Sequence, residues 1–164
     1  MVSVRETLRL TVMTLFIICG SITFSQILAF TQASTGLSEL VTGAGLSPLW
    51  VLLGMLGILL VLGCFMDQVS MMMITAPLFM PVAETLGLDI VWFGVLMLMM
   101  LEIGLATPPF GLLLFVAKGA APQIPMGAII RSVAPFIAIA LGVVGLLIAF
   151  PALTLVLPRL MAPG

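Results

Sequence analysis

Histidine is absent from this 164-residue chain, and only 5 Lys or Arg and 6 Asp or Glu residues are present. The two cysteines, Cys19 and Cys64, both lie in apolar segments and lack paired metal-ligand spacing. A zinc or other transition-metal centre therefore has no donor set, and the cysteines read as small buried hydrophobes rather than a disulfide. So few charges leave too little polar surface to solubilise a water-exposed fold of this size. The net charge of −1 argues against nucleic-acid binding, which demands basic stripes. What is present in quantity is apolar: hydrophobic residues make up 63% of the chain. The expected class is an all-α integral membrane protein in a lipid bilayer.

The apolar run Leu8 to Phe30 is long enough to span a bilayer. Arg5 and Arg9 before it resemble the start of a signal peptide, but the run is too long and no clear Ala-x-Ala site follows. Ser21, Thr23, Ser25 and Gln26 predict a protein-facing second half for this helix. Thr31 to Ser47 has the spacing of a short interfacial helix. Pro48 suits the first turn of a helix running to about Gly63, and a second helix follows from Val69 to Leu86. Each arm is short for a full span, with Pro77 and Pro81 shortening the regular stretch of the second. A re-entrant hairpin is favoured over two spanning helices joined by a tight turn.

Gly87-Leu88-Asp89 then makes a turn, and Trp92 sits where an interfacial aromatic belongs. The next helix runs to Ala106, breaks at Thr107-Pro108-Pro109, and resumes from Gly111 until Lys118-Gly119 and Pro122 end it. The last helix starts near Met126, with Pro135 and Pro151 kinking or ending it. The expected architecture is one membrane domain over 1–164, with about three transmembrane helices and a re-entrant helical hairpin. It divides into a scaffold helix and arm (1–47), the hairpin (48–86), the broken helix (87–120) and the final helix (121–164). Arg5, Arg9, Lys118 and Arg131 place the N-terminus and the 118–126 loop in the cytoplasm. Arg159 breaks this pattern.

Two polar islands interrupt the apolar sequence: Gly63 to Ser70, and Glu102 to Gly111. Carboxylates and helix-breaking prolines are costly in a bilayer unless they line a protein cavity or permeation path. Asp67 precedes the second hairpin arm and is placed to cap it. With Gln68 and Ser70 beside it, the same carboxylate suits a hard cation. Gly63 would let the backbone expose carbonyls at the negative end of the first arm's dipole, while the second arm starts with its positive end. At the second island, Pro108 and Pro109 deprive the Gly104 and Leu105 carbonyls of their i+4 donors. Thr107, preceding a proline, is biased away from helical angles. Oxygen ligands of this kind suit an alkali cation. Glu102 is a second midchain acid that can stay protonated, pair with another segment or face a wet cavity. The methionines at 71–73 and 97–100 read as polarisable packing on moving or lipid-facing surfaces.

The order Gly63-Cys64-Phe65-Met66-Asp67, Pro77-Leu78-Phe79-Met80-Pro81, Leu101 to Gly111 and Phe115-Val116-Ala117-Lys118-Gly119 closely resembles the large membrane subunit (DctM-like) of tripartite ATP-independent periplasmic (TRAP) transporters. The resemblance covers essentially the whole chain and corresponds to the family's C-terminal inverted repeat. It implies a sodium-coupled secondary importer of the elevator type in the bacterial inner membrane, taking up an organic acid such as a C4-dicarboxylate. A periplasmic solute-binding protein would deliver the substrate and a small membrane subunit would brace the scaffold. By motif, sodium would be bound by Gly63, Asp67, Gln68, Ser70, Glu102, Gly104, Thr107 and Pro108, and substrate by Thr107 and Gly111. Leu113 stands where many members carry a polar Asn, a departure that touches any substrate contact there. The family's large subunit has two such repeats, so the expectation is a C-terminal piece whose missing N-terminal half is a partner. Alone it should not transport.

Three other readings compete: half of another sodium/anion elevator carrier, a non-transporting membrane piece, and an intramembrane aspartyl protease using Asp67 and Glu102. The protease is disfavoured because such enzymes need two aspartates in a Gly-x-Gly-Asp-like setting. The expectation is therefore a carrier component and not an enzyme, with sodium as the coupling ion and no other cofactor.

Overall fold

The computed structural model describes residues 2–31, 36, 39, 43, 45–109 and 111–161; within the terminal helices some side chains also fall outside the description. The described secondary structure is helical, with no strand among these residues. The elements are α1 (Val2–Thr31), α2 (Pro48–Gly63), α3 (Gln68–Thr85), α4 (Ile90–Ala106), α5 (Leu112–Ala120), α6 (Met126–Ala149) and α7 (Ala152–Met161). Among the described residues, Met126–Ala149 is long and apolar enough to cross a membrane, and Pro48–Gly63 and Ile90–Ala106 are shorter apolar helices. The interfacial helix expected over Thr31 to Ser47 lies mostly outside the described residues.

Local chemistry sets the boundaries. Pro48 occupies the first turn of α2, where its missing N–H has no intrahelical partner to lose. Asp67 caps α3 through the Ser70 amide at 2.9 Å, and Asp89 caps α4 through the Val91 and Trp92 amides. Gly87 takes a positive φ of 70° as α3 ends, and the Leu88 amide folds back onto the Ala83 carbonyl.

The core centres on α4. Trp92, Phe93, Leu96, Met97, Met100 and Leu101 repeat at helical spacing and are all buried. They pack against Leu52, Leu56 and Leu59 of α2, Met71 and Phe79 of α3, and Val144 of α6. Among the described residues the contact between α2 and α4 is the most extensive, exceeding that between the two hairpin arms. The two helices run side by side with their C-terminal ends together, because Gly63 meets Gly104.

Several expectations change on contact with the fold. Pro77 and Pro81 do not shorten the second arm, since α3 runs through both. A membrane helix tolerates proline when its surroundings satisfy the carbonyls four residues back, here those of Met73 and Pro77. Pro135 likewise lies inside α6, whereas Pro151 does separate α6 from α7. As expected, α5 ends between Gly119 and Pro122, its last residue being Ala120. The Lys118 ammonium donates to the carbonyls of Pro122 and Ile124 just beyond the helix, where a cation also favours the dipole.

Trp92 does sit at the start of α4 but is buried, its indole N–H donating to the Leu147 carbonyl at 2.8 Å. This bond puts the start of α4 beside the end of α6. Met71, Met97 and Met100 pack in the core rather than on a lipid-facing surface, while Met72 is exposed. Cys64 is buried as expected, but Cys19 is exposed. Thr23 and Gln26 are exposed as well, so they do not make a protein-facing stripe within this chain. The reason is that α1 packs onto α3 and little else described here. The Thr23 hydroxyl is satisfied on its own helix, by the Cys19 carbonyl.

Candidate functional site at the hairpin tip and helix break

The tip of the α2–α3 hairpin and the break after α4 meet at two glycines. A Cβ on Gly63 would stand 2.7 Å from the Gly104 Cα, and a Cβ on Gly104 would stand 2.7 Å from the Gly63 Cα. Only backbone against backbone fits there. One residue on, the Cys64 thiol reaches the Pro108 carbonyl at 3.6 Å and its own helix's Leu60 carbonyl at 3.3 Å. The two islands, separated by about 40 residues in sequence, thus form one locus.

The break itself is a tight backbone knot. Pro108–Pro109 is a cis peptide. The Gly104 carbonyl, lacking an i+4 donor, takes the Thr107 amide at 3.0 Å instead. The Thr107 hydroxyl donates to the Ile103 carbonyl at 2.6 Å, which leaves its lone pairs free to accept or ligate. The Gly111 amide closes the turn on the Thr107 carbonyl at 3.1 Å. Gly111 is buried against this turn, and α5 begins directly after it.

Electrostatically, the C-terminal ends of α2 and α4 converge, and each carries partial negative charge. The N-terminal ends of α3 and α5 begin within a few residues of the same locus and carry the opposite sign. Such an arrangement offers carbonyl oxygens to a cation and amide N–H groups to an anion.

The structure brings Gly63, Gly104, Thr107, Pro108 and Gly111 into this locus. Gln68 and Ser70 stand in the first turn of α3, and Asp67 is exposed with its carboxylate on the Ser70 amide. Glu102 is different. Two residues before Gly104, it lies about 200° around α4, on the exposed stripe it shares with Val91 and Leu98. Asp67 and Glu102 are both exposed, and the Asp67 carboxylate is engaged by the Ser70 amide.

Cys64 is the participant that sequence reasoning missed, having been read as filler. Its adjacency to Gly63 in a polar island was the available signal. An apolar cleft lined by Trp50, Gly54, Met55, Ile58, Phe79 and Val82 also opens between the hairpin arms. Apart from the Trp50 indole its lining side chains are apolar, so the chemistry rests at the tip and break.

Comparison with known proteins identifies the family. Residues 1–153 match the family described as "Tripartite ATP-independent periplasmic transporter, DctM component". A C4-dicarboxylate TRAP transporter large permease protein of Pseudomonas aeruginosa is 39% identical over 154 residues, 94% of this chain and 36% of that protein. A sialic acid TRAP transporter large permease protein of Vibrio cholerae is 33% identical over 156 residues, 95% of this chain and 36% of that protein. An ectoine/5-hydroxyectoine TRAP transporter large permease protein of Ruegeria pomeroyi is 34% identical over 144 residues, 87% of this chain and 33% of that protein. The chain spans about a third of the length of the curated relatives it matches. The similarity runs through both islands and nearly the whole helical framework, so the chain belongs to the DctM component family of the tripartite ATP-independent periplasmic transporters.

Proposed function

We propose that this chain forms one repeat of a sodium-coupled importer of organic acids in the bacterial inner membrane. The carrying observation is the convergence of two helix C-termini at Gly63 and Gly104. Broken membrane helices whose ends meet are the usual architecture of carrier ion sites. Sodium takes backbone carbonyls of the tip and break, the Thr107 hydroxyl oxygen, and oxygens of Asp67, Gln68 and Ser70. The substrate's carboxylate sits beside Thr107 and Gly111, facing the positive ends of α3 and α5. Glu102, on the outer stripe of α4, serves the site only through a group that the rest of the large subunit supplies.

The hairpin is re-entrant in this reading. Its 16-residue first arm runs alongside α4 and ends at the level of the α4 break, while α5 continues the path. A helix of that length covers about 24 Å, less than a hydrocarbon core of about 30 Å. The Trp92–Leu147 bond supports a common side for residues 90 and 149. With Lys118 and Arg131 at the opposite end, that side is periplasmic and the N-terminus is cytoplasmic. A periplasmic solute-binding protein, a small membrane subunit and the N-terminal half of the large subunit complete the carrier, which moves by an elevator displacement.

The test is uptake of labelled organic acids by the complete system in proteoliposomes, with and without an inward sodium gradient. Uptake is expected only with the gradient. Asp67→Asn keeps a good helix cap while removing the charge, so its effect reads the ion site rather than α3 stability. Both Asp67→Asn and Thr107→Val are expected to raise the sodium half-saturation about tenfold, a loss of about 1.4 kcal/mol of binding. Unchanged sodium dependence in both variants removes these residues from the site.

A further inference from the structure

We propose that Gly63 and Gly104, with the Cys64 thiol on the Pro108 carbonyl, form a permanent clamp that sets the spacing between hairpin tip and helix break. These are positioning residues: the clamp works through backbone apposition and one thiol bond, whatever carbonyls the two glycines also present. Its effect on ions rests on the sodium reading above; the clamp itself does not.

Three observations converge. The glycine contact is reciprocal, with each hypothetical Cβ meeting the other residue's backbone at 2.7 Å and neither facing only a flexible side chain. The nearest atoms are backbone carbons, so relief requires moving a helix rather than a rotamer. The Cys64 thiol spans the same junction one residue further on. Finally, α2 makes its largest contact with α4 and not with its hairpin partner α3. The first arm and α4 therefore travel together as one body. A carrier whose ion ligands come from two separate breaks needs such a reference point, because misplacing a ligand by about 1 Å weakens an ion site sharply.

Gly94 supplies the control. It lies on the same helix, but its Cβ would meet only the Met80 side-chain end at 3.9 Å. Cys64 supplies the reporter, being buried at the junction while Cys19 is exposed. The experiment treats the intact transporter in membranes with N-ethylmaleimide and follows labelling of the Cys64 peptide by mass spectrometry. Sodium half-saturation of uptake is measured in parallel.

In the wild type, Cys64 labels slowly, at a rate unaffected by sodium or substrate. Gly63→Ala and Gly104→Ala are each expected to raise the rate about tenfold. They also raise the sodium half-saturation, while Gly94→Ala behaves as wild type. Faster labelling in both variants without any sodium effect keeps the clamp and counts against the sodium reading. Unchanged labelling in both variants overturns the clamp. So does a wild-type rate that rises tenfold or so when sodium is withdrawn, a result that needs no folded variant.

Discussion

Gly111→Ala is expected to reduce uptake by the complete transporter about a hundredfold while leaving its amount in the membrane near normal. The reason is space rather than backbone angle, since Gly111 has a negative φ of −34°. A Cβ there would stand 2.7 Å from the Leu105 carbonyl oxygen, 2.8 Å from the Thr107 carbonyl oxygen and 3.0 Å from the Thr107 nitrogen. All three are backbone atoms of one short turn, so none can swing aside. The turn must open, which breaks the Gly111 amide bond to Thr107 and displaces the Thr107 hydroxyl from its setting. Overpacking of this kind costs about 1–3 kcal/mol, and in a ligand-bearing turn it falls on the site itself. Gly119→Ala is the matched control, because a Cβ there meets nothing within 4 Å. Alanine in the last turn of that helix should be neutral or slightly stabilising. Equal activity of the two variants would show that the turn is not part of the machinery.

Phe93→Ala is expected to produce the largest loss of stability of any single core change. Phe93 has 0% exposure and sits in the cluster joining α4 to the hairpin. In a soluble protein such a truncation costs about 3–5 kcal/mol, part of it from lost hydrophobic transfer. Within lipid the transfer part shrinks, because hydrocarbon solvates an exposed ring as well as a core does. The cavity part remains: removing roughly 100 Å³ at about 24 cal/mol per Å³ leaves about 2 kcal/mol. Phe136 is 71% exposed on α6 and creates no cavity when truncated. Thermal unfolding in detergent should therefore drop by several degrees for Phe93→Ala and by far less for Phe136→Ala. Comparable shifts would mean that α4 is not the packed centre.

Much of the framework was legible because local chemistry writes it locally. Pro48 marks the start of α2, Asp67 and Asp89 cap α3 and α4, and Gly87 turns the chain between them. Each signal acts within four residues, so the sequence carries it openly. Proline was a poorer guide. Thr107-Pro108-Pro109 does break a helix, yet Pro77, Pro81 and Pro135 sit inside continuous ones. Whether a freed carbonyl finds a donor depends on hydroxyls and neighbouring helices, which the local sequence does not carry.

The site was legible in its parts and illegible in its assembly. Gly63 and Gly104 each stood out, but their apposition is a tertiary fact with no sequence period. Composition gave Cys64 no distinction from any small core residue, although its thiol crosses the junction. Trp92 misled in the opposite direction. Its place at a helix start suits a lipid interface, while its indole is spent inside on Leu147. Exposure of Cys19, Thr23 and Gln26 could not be foreseen because it depends on what α1 packs against.

The central claim is that hairpin tip and helix break make one ion site. A double-mutant cycle tests it most directly, with Ser70→Ala and Thr107→Val measured singly and together for sodium half-saturation in the complete transporter. Ser70 belongs to the tip and Thr107 to the break, so neither is a sequence neighbour of the other. If both ligate one ion, the second substitution costs little once the first is made, and the coupling exceeds about 0.5 kcal/mol. Strictly additive effects would contradict the claim and assign the two islands to separate sites.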